Sequence, residues 1–101
     1  MKQVFTIPSA WQNTAELFIA LGDSHRQRIL LAFEANERLS TLQIIAASTL
    51  SRTAVTHHLK ILQNSGALQS EKVGKEVFFW IDKAYIGNAL KSVLTYINNE
   101  T

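Results

Sequence analysis

The residues of this chain best suited to bind another molecule lie between Ser51 and Gly66, on one side of a predicted helix. Ser51 is a favoured N-cap residue, and Gly66 readily takes the left-handed conformation that ends a helix. The side chains on the polar face are donors or small polar groups without a carboxylate: Arg52, Thr53, Thr56, His57 and Lys60. Such a face suits an anionic partner, although an ordinary solvated surface is the alternative.

The other side of this helix is apolar and is expected to face a core. Val55, Leu59 and Leu62 recur at steps of four and three residues, the spacing of one helix face. Just before it, Ser40 and Gln43 have the spacing of a capping box, which predicts a short helix over residues 41–47. Two short helices joined by a tight turn predict a helix-turn-helix over about residues 41–65.

Two short strands are predicted after this motif, over residues 68–73 and 76–81. Gly74 stands at the first central position of the turn between them, where tight hairpins favour glycine. In the second strand one face is expected to carry Val77, Phe79 and Ile81, and the other Phe78 and Trp80. A hairpin in this position predicts a wing over about residues 68–81.

The turn of the predicted wing is flanked by lysines. Lys72 and Lys75 are close enough to the tip to reach a phosphate or the minor groove of DNA. The alternative is that hairpin tips carry lysine for solubility.

A further helix is predicted to begin after Asp23, which is a favoured N-cap, and to run to about Ala35. Ile29, Leu30 and Phe33 are assigned to its inner side, and Asn36 is expected to end it in the left-handed conformation. The residues assigned mostly to its outer side are Arg26, Gln27, Arg28 and Glu34.

The outermost helices are predicted over about residues 9–21, capped by Ser9, and 83–98, capped by Asp82. Both carry more apolar surface than a core of this size needs, which indicates a homodimer interface. The alternative is that both helices only complete the core of the monomer. The residues assigned to the interface are Trp11, Phe18, Ile86, Leu90, Val93 and Ile97.

Composition limits the class of protein. A chain of 101 residues, 47% of them hydrophobic, is expected to form a single domain over residues 1–101, mainly α with a small β-hairpin. The absence of cysteine excludes disulfides and thiolate metal sites. Without a signal peptide or an apolar run long enough to span a membrane, the chain is expected to be cytoplasmic and to have no membrane partner.

Charge distribution favours nucleic acid as the partner. Residues 51–81 contain four basic and two acidic side chains, an excess equal to the net charge of +2 of the whole chain. No nucleophile lies beside a base and no glycine-rich loop is present, so neither an enzyme nor a cofactor is expected. The rival hypothesis is a protein-interaction or antirepressor module that has this fold but has lost DNA binding.

Several segments in register resemble the ArsR/SmtB family of winged helix-turn-helix repressors. Residues 21–30 resemble the family's Leu-Ala-Asp-Pro-Thr-Arg-Arg-Arg-Ile-Leu, and residues 39–40 its Leu-Ser. Residues 50–62 align without a gap with its Leu-Ser-Gln-Ser-Thr-Val-Ser-His-His-Leu-Lys-x-Leu, and residues 66–68 with its Gly-Leu-Val. The resemblance covers about residues 21–81.

The resemblance implies a fold of five helices with a two-stranded wing, in a homodimer that represses transcription from an imperfect palindrome until an inducer changes its affinity. By position, the residues implied near base edges are Arg52, Thr53, Thr56 and His57, and those near phosphates are Ser40, Thr41, Ser51 and Lys60.

The metal sites of the family are not carried over to this chain. Where thiolate sensors have Cys-x-Cys, residues 41–45 contain no cysteine, and the final helix contains no histidine. The three histidines do not obviously converge: His58 is expected to be half-buried, His57 to face DNA and His25 to lie on the surface. The resemblance therefore favours a constitutive or small-molecule-controlled regulator over a metal sensor.

Overall fold

The computed structural model describes residues 1–101 and contains five helices and three strands. A 3₁₀ turn at Ser9–Trp11 precedes the first helix. In chain order the elements are α1 (Thr14–Leu21), α2 (Ser24–Leu31), β1 (Leu39–Ser40), α3 (Thr41–Ala47), α4 (Arg52–Asn64), β2 (Leu68–Val73), β3 (Glu76–Ile81) and α5 (Lys83–Glu100).

Four helices begin at the cap residues that the sequence predicts. The side chain of Asp23 accepts hydrogen bonds at the start of α2, Ser51 does so at α4, and Asp82 at α5. At α3 the Oγ of Ser40 accepts the N–H of Gln43 at 3.1 Å, and the Gln43 side chain accepts the N–H of Ser40 at 2.8 Å. Each such cap is worth about 1 kcal/mol, which matters for helices as short as these.

The first predicted helix is interrupted, so its prediction as one helix from Ser9 to Leu21 was wrong. Asn13 has a φ of 68°, and α1 begins only at Thr14. Asparagine tolerates this left-handed conformation better than other residues with a side chain, which allows the chain to bend here.

The second helix is shorter than predicted, because α2 ends at Leu31 instead of near Ala35. The N–H of Phe33 bonds to the carbonyl of Leu30, three residues back, which tightens the last turn and ends the helix. Asn36, at a φ of 59°, takes the predicted left-handed conformation in the loop that follows.

The wing belongs to a three-stranded antiparallel sheet in the order β1-β3-β2, where the sequence predicted two strands. Leu39 in β1 pairs with Phe79, and Ser40 pairs with Phe78. The hairpin closes between Val73 and Glu76, with Gly74 at a φ of 63° as predicted. Because β1 leads directly into α3, this pairing fixes the wing to the helix-turn-helix.

The core lies between the helices and one face of the sheet. Its ten buried apolar residues include Val55, Leu59 and Leu62, the predicted inner stripe of α4. Burial of each such side chain is worth about 1.5–3 kcal/mol relative to exposure. On β3, Phe79 is in the core and Val77 and Ile81 pack against it, which confirms the predicted face of this strand.

The end of α4 and the start of α5 are in close contact. Gly66 ends the turn after α4 with a φ of 88°, as predicted, and the ring of Tyr85 lies over it. Tyr85, Ile86 and Ala89 pack against the core, but no residue of α5 is fully buried. With α5 extending outward, the molecule measures 52 × 24 × 20 Å.

Candidate nucleic-acid interface

The outer face of α4 is the most distinctive polar surface of the molecule. The side chains assigned to this face are all exposed: Arg52, Thr53, Thr56, His57 and Lys60. No acidic residue occurs anywhere in α4. The face therefore presents hydrogen-bond donors and positive charge without a carboxylate to repel an anion.

The opposite side of α4 holds the helix firmly in place. Helices α1, α2 and α3 and strand β2 all pack against it. The turn from α3 into α4 is closed by the N–H of Leu50, which donates to the Oγ of Ser48 at 3.0 Å. Ser51 then caps α4 through the N–H of Ala54 at 3.1 Å. The polar face is thus carried by a rigid element and not by a loop.

The start of α3 differs from the expectation for one residue. Ser40 is only 4% exposed, and its hydroxyl oxygen already accepts the N–H of Gln43. A hydroxyl buried in a capping box is not available to a phosphate, so the structure corrects the assignment of Ser40 to the DNA contacts. Thr41 remains half-exposed, with its hydroxyl 3.5 Å from the carbonyl oxygen of Val77.

The tip of the wing presents two free cations. Lys72 and Lys75 are both exposed and flank Gly74. The nearby carboxylate of Glu71 is paired with Arg38, whose Nη1 lies 2.7 Å from Glu71 Oε2. Both side chains are more than half exposed, so the pair adds little stability, but it offsets the acidic charge next to Lys72.

Arg26 was wrongly assigned to the outside of α2. Its side chain is 8% exposed and donates to the carbonyl oxygens of Ala20 at 2.8 Å and Ile19 at 3.1 Å. Its spacing of three residues from the buried Ile29 is the sequence signal for this orientation, since residues three apart share a helix face.

The three histidines lie closer together than the sequence suggested. The ring of the half-buried His58 is 5.8 Å from that of His25 and 5.8 Å from that of the exposed His57. Arg26 Nη1 lies 3.2 Å from His58 Nδ1, and Arg28 Nη1 lies 3.3 Å from His25 Nδ1. No group of three or more histidine, cysteine, aspartate and glutamate side chains has an arrangement that could hold a metal ion.

Two ionisable groups next to α4 have shifted pKa values. Burial lowers the pKa of His58 below its ordinary value of 6.5, and the positive charge of Arg26 acts in the same direction, against the carboxylate of Asp23. The hydrogen bond from the N–H of Arg26 lowers the pKa of Asp23 below 3.8, assisted by the charge of Arg26. The surroundings thus favour a neutral His58 and an ionised Asp23.

The residues assigned to dimerisation lie on α5, on α1 and in the 3₁₀ turn that precedes α1. Phe18, Leu90 and Ile97 are 42%, 43% and 49% exposed. The residues that are half-buried within the single chain are Trp11, Ile86 and Val93. Trp11 contacts Tyr96 of α5 edge-on, with ring centroids 5.5 Å apart. A large apolar surface therefore remains uncovered in the monomer.

A membrane-spanning helix is not found, because none of the five helices combines the required length with sufficient hydropathy.

Comparison with known proteins agrees with the class of protein that the fold and this surface define, a winged helix-turn-helix protein. Residues 23–69 match a family model described as winged helix-turn-helix DNA-binding. A transcriptional repressor SmtB homolog of Synechocystis sp. is 30% identical over 86 residues, which are 85% of this chain and 64% of that protein. The chain thus spans slightly less than two thirds of the length of that relative.

Two further proteins are similar over more of their length. An HTH-type transcriptional regulator of Methanocaldococcus jannaschii is 29% identical over 83 residues, which are 82% of this chain and 93% of that protein. The solved structure of an ArsR-like transcriptional regulator from Rhodococcus sp. RHA1 superposes with a TM-score of 0.80 at 28% identity, covering 92% of this chain and 86% of that one. The chain is therefore a winged helix-turn-helix protein that is similar to SmtB-like and ArsR-like proteins, and the relatives named here are described as transcriptional regulators.

Proposed function

We propose that the protein is a sequence-specific DNA-binding transcriptional regulator, and that it represses transcription as a homodimer on a palindromic operator. The observation that carries this proposal is the outer face of α4, which is exposed, free of carboxylates and held by a rigid core. The rival hypothesis of a protein-interaction module without DNA binding would be better supported by acidic residues on this face.

The proposed roles of the side chains follow from their positions. Arg52, at the first turn of α4, is the candidate for reading a guanine through two hydrogen bonds, because its guanidinium matches the O6 and N7 acceptors. Thr53, Thr56 and His57 are assigned to neighbouring base edges. The residues assigned to phosphates are Thr41, Ser51, Lys60, Lys72 and Lys75.

The proposed dimer places two copies of α4 on the same face of DNA. Recognition helices in such dimers enter successive major grooves about 34–36 Å apart. The exposed apolar surface of Phe18, Leu90 and Ile97 supports this assembly, since an isolated chain gains by covering it. A second copy of the same chain is the occupant we assign to it.

The similar Synechocystis protein is named a transcriptional repressor, which favours repression over activation. We propose that any inducer is a small molecule that acts without the metal sites of the family. Residues 41–45 have no cysteine and α5 has no histidine, so the usual ligands are missing from both places.

Fluorescence anisotropy tests the proposal on DNA from upstream of the gene, with scrambled DNA of equal length as the control. Three lysines per protomer are assigned to phosphates, so a dimer is expected to lose affinity with salt at a logarithmic slope of about −5. Tight binding to the upstream DNA alone, with this steep dependence, is the expected result. Equal and weak binding to both DNAs would contradict operator recognition and favour a protein partner.

A further inference from the structure

The guanidinium of Arg26 occupies an unusual position, because a charged side chain is buried where three helices meet. From α2 it donates through Nε to the carbonyl of Ala20 at 2.8 Å and through Nη2 to that of Ile19 at 3.1 Å. These carbonyls lie in the last turn of α1, where acceptors lack partners within the helix. That of Ile19 also accepts the N–H of Gly22 at 3.3 Å. Arg26 therefore caps the C-terminus of α1.

The third donor of the same guanidinium reaches α4. Its Nη1 lies 3.2 Å from Nδ1 of His58, and a guanidinium can only donate. Nδ1 must therefore accept, so the His58 ring is neutral and carries its proton on Nε2. His58 lies between the buried stripe of α4 and the polar face, directly before the buried Leu59 and after the exposed His57.

We infer that Arg26 is a positioning residue for DNA recognition, because its guanidinium ties the end of α1 to His58 and so sets the orientation in which α4 presents its polar face. The inference rests on the proposed function and requires no contact between Arg26 and DNA. A bidentate contact from Arg52 to a guanine needs close alignment. A small rotation of α4 about its buried stripe would lower specific binding while leaving the core intact.

The charged groups around His58 make its hydrogen bond with Arg26 sensitive to acid. On α2 they are Asp23, Arg26 and His25, and on α4 His57. Among the other elements packed on α4, helix α3 has no ionisable side chain, helix α1 has only the exposed Glu16, and strand β2 has the exposed Glu71 and Lys72. Protonation of His58 would remove the acceptor for Arg26 and place a second cation against it. Low pH should therefore weaken the hydrogen bond between Arg26 and His58.

The partner residue is the better one to change, since removal of Arg26 would leave the buried carbonyl of Ala20 unpaired and the fold at risk. In His58→Asn the amide oxygen replaces Nδ1 as an acceptor but does not titrate. In His58→Leu the side chain fills a similar space without an acceptor. His25→Asn, on α2 and outside the proposed DNA contacts, is the matched control for loss of a histidine.

The test measures the affinity of the full chain for operator and scrambled DNA at about pH 8 and about pH 5, the second chosen because the pKa of His58 lies below 6.5. At the higher pH, His58→Leu is expected to lose about tenfold in operator affinity, as for one lost hydrogen bond to a charged group, and His58→Asn less than about twofold. His58→Leu and His58→Asn should bind scrambled DNA with equal affinity. At the lower pH the operator affinity of His58→Asn should rise severalfold relative to the wild type and to His25→Asn.

Two results would overturn the inference: operator affinity of His58→Leu equal to that of the wild type, or an affinity ratio of His58→Asn to the wild type that does not change with pH. Failure of the wild type to prefer the operator would instead contradict the proposed function. In that case the amide chemical shifts of residues 52–60 test whether Arg26 and His58 orient α4. Chemical-shift changes along the whole face in His58→Leu, together with unchanged chemical shifts in His58→Asn, would support the inference. Changes confined to the neighbours of residue 58 in His58→Leu would refute it.

Discussion

A Cβ atom at Gly66 would lie 2.5 Å from Cε1 of Tyr85, so the ring at the start of α5 lies directly against the backbone that ends α4. Gly66 also has a φ of 88°, a conformation that strains any residue with a side chain. The contact joins the helix proposed to read DNA to the helix proposed to form the dimer. Both the space and the backbone conformation therefore require glycine at this position.

Substitution of three glycines separates the effect of limited space from that of the left-handed backbone. Gly66→Ala combines a left-handed backbone with overpacking, each worth about 1–3 kcal/mol, so its free energy of unfolding should fall most. Gly74→Ala keeps only the backbone strain, because nothing lies within 4 Å of its Cβ position. Gly87→Ala, in the open on α5, should stabilise by about 0.5–1 kcal/mol. Urea unfolding measures all three, and a loss at Gly66 no larger than at Gly74 would contradict the close contact.

Substitutions of Ser51 separate capping from DNA binding. Ser51→Ala removes the acceptor for the N–H of Ala54 and should cost about 1 kcal/mol of stability. Ser51→Asp retains a capping oxygen and should keep the stability, but its negative charge lies beside the proposed phosphate contacts and should weaken operator binding about tenfold or more. Thermal unfolding and anisotropy give the two readouts. Unchanged DNA affinity in Ser51→Asp would argue against this end of α4 lying near phosphates.

Stability is expected to fall in two steps as the pH is lowered. His58 has a folded-state pKa below 6.5, so the unfolded chain takes up this proton first and stability declines as the pH falls below about 6.5. Asp23 has a folded-state pKa below 3.8, so its contribution is present above that pH and is lost as the pH falls through the lowered value.

Urea unfolding across pH measures these two steps. His58→Asn should remove the decline just below pH 6.5, and Asp23→Asn, which still caps α2, should flatten the decline at more acidic pH. Wild-type stability that does not change between about pH 7 and pH 5 would be inconsistent with the environment of His58.

The apolar surface of α5 should form a dimer in solution. Leu90→Glu and Ile97→Glu place a carboxylate on surfaces that are 43% and 49% exposed in the single chain, and both should dissociate the dimer. Leu31→Glu is the matched control, because Leu31 is an 82% exposed leucine on α2, away from the proposed interface. Sedimentation should give a dimer for the wild type and the control. A wild-type monomer at micromolar concentration would exclude the proposed assembly.

Features that depend on neighbouring residues were predictable from the sequence. The caps at Asp23, Ser40, Ser51 and Asp82 follow from side chains that reach backbone groups within three residues. The stripe of α4 and the turn at Gly74 are equally local. The polar face of α4 needed no more than helical periodicity.

Features that depend on distant parts of the chain were missed. Strand β1 has two residues, and its pairing in the sheet depends on Leu39 meeting Phe79, far along the chain, which no local pattern indicates. The inward turn of Arg26 depends on where the carbonyls at the end of α1 lie. The proximity of His25 to His58 likewise arises from the packing of α2 on α4.

The most direct test of the central claim, that the outer face of α4 reads DNA sequence, is the discrimination of Arg52→Ala. Anisotropy is measured on the operator and on versions changed at one base pair at a time. Lys83→Ala removes an exposed cation of α5 that donates a hydrogen bond to Asn36, and is the control for the loss of one charge. We expect Arg52→Ala to lose about 1–3 kcal/mol of binding free energy and to become indifferent at one base pair in each half-site, and Lys83→Ala to behave like the wild type. Full discrimination by Arg52→Ala at every base pair would contradict this claim.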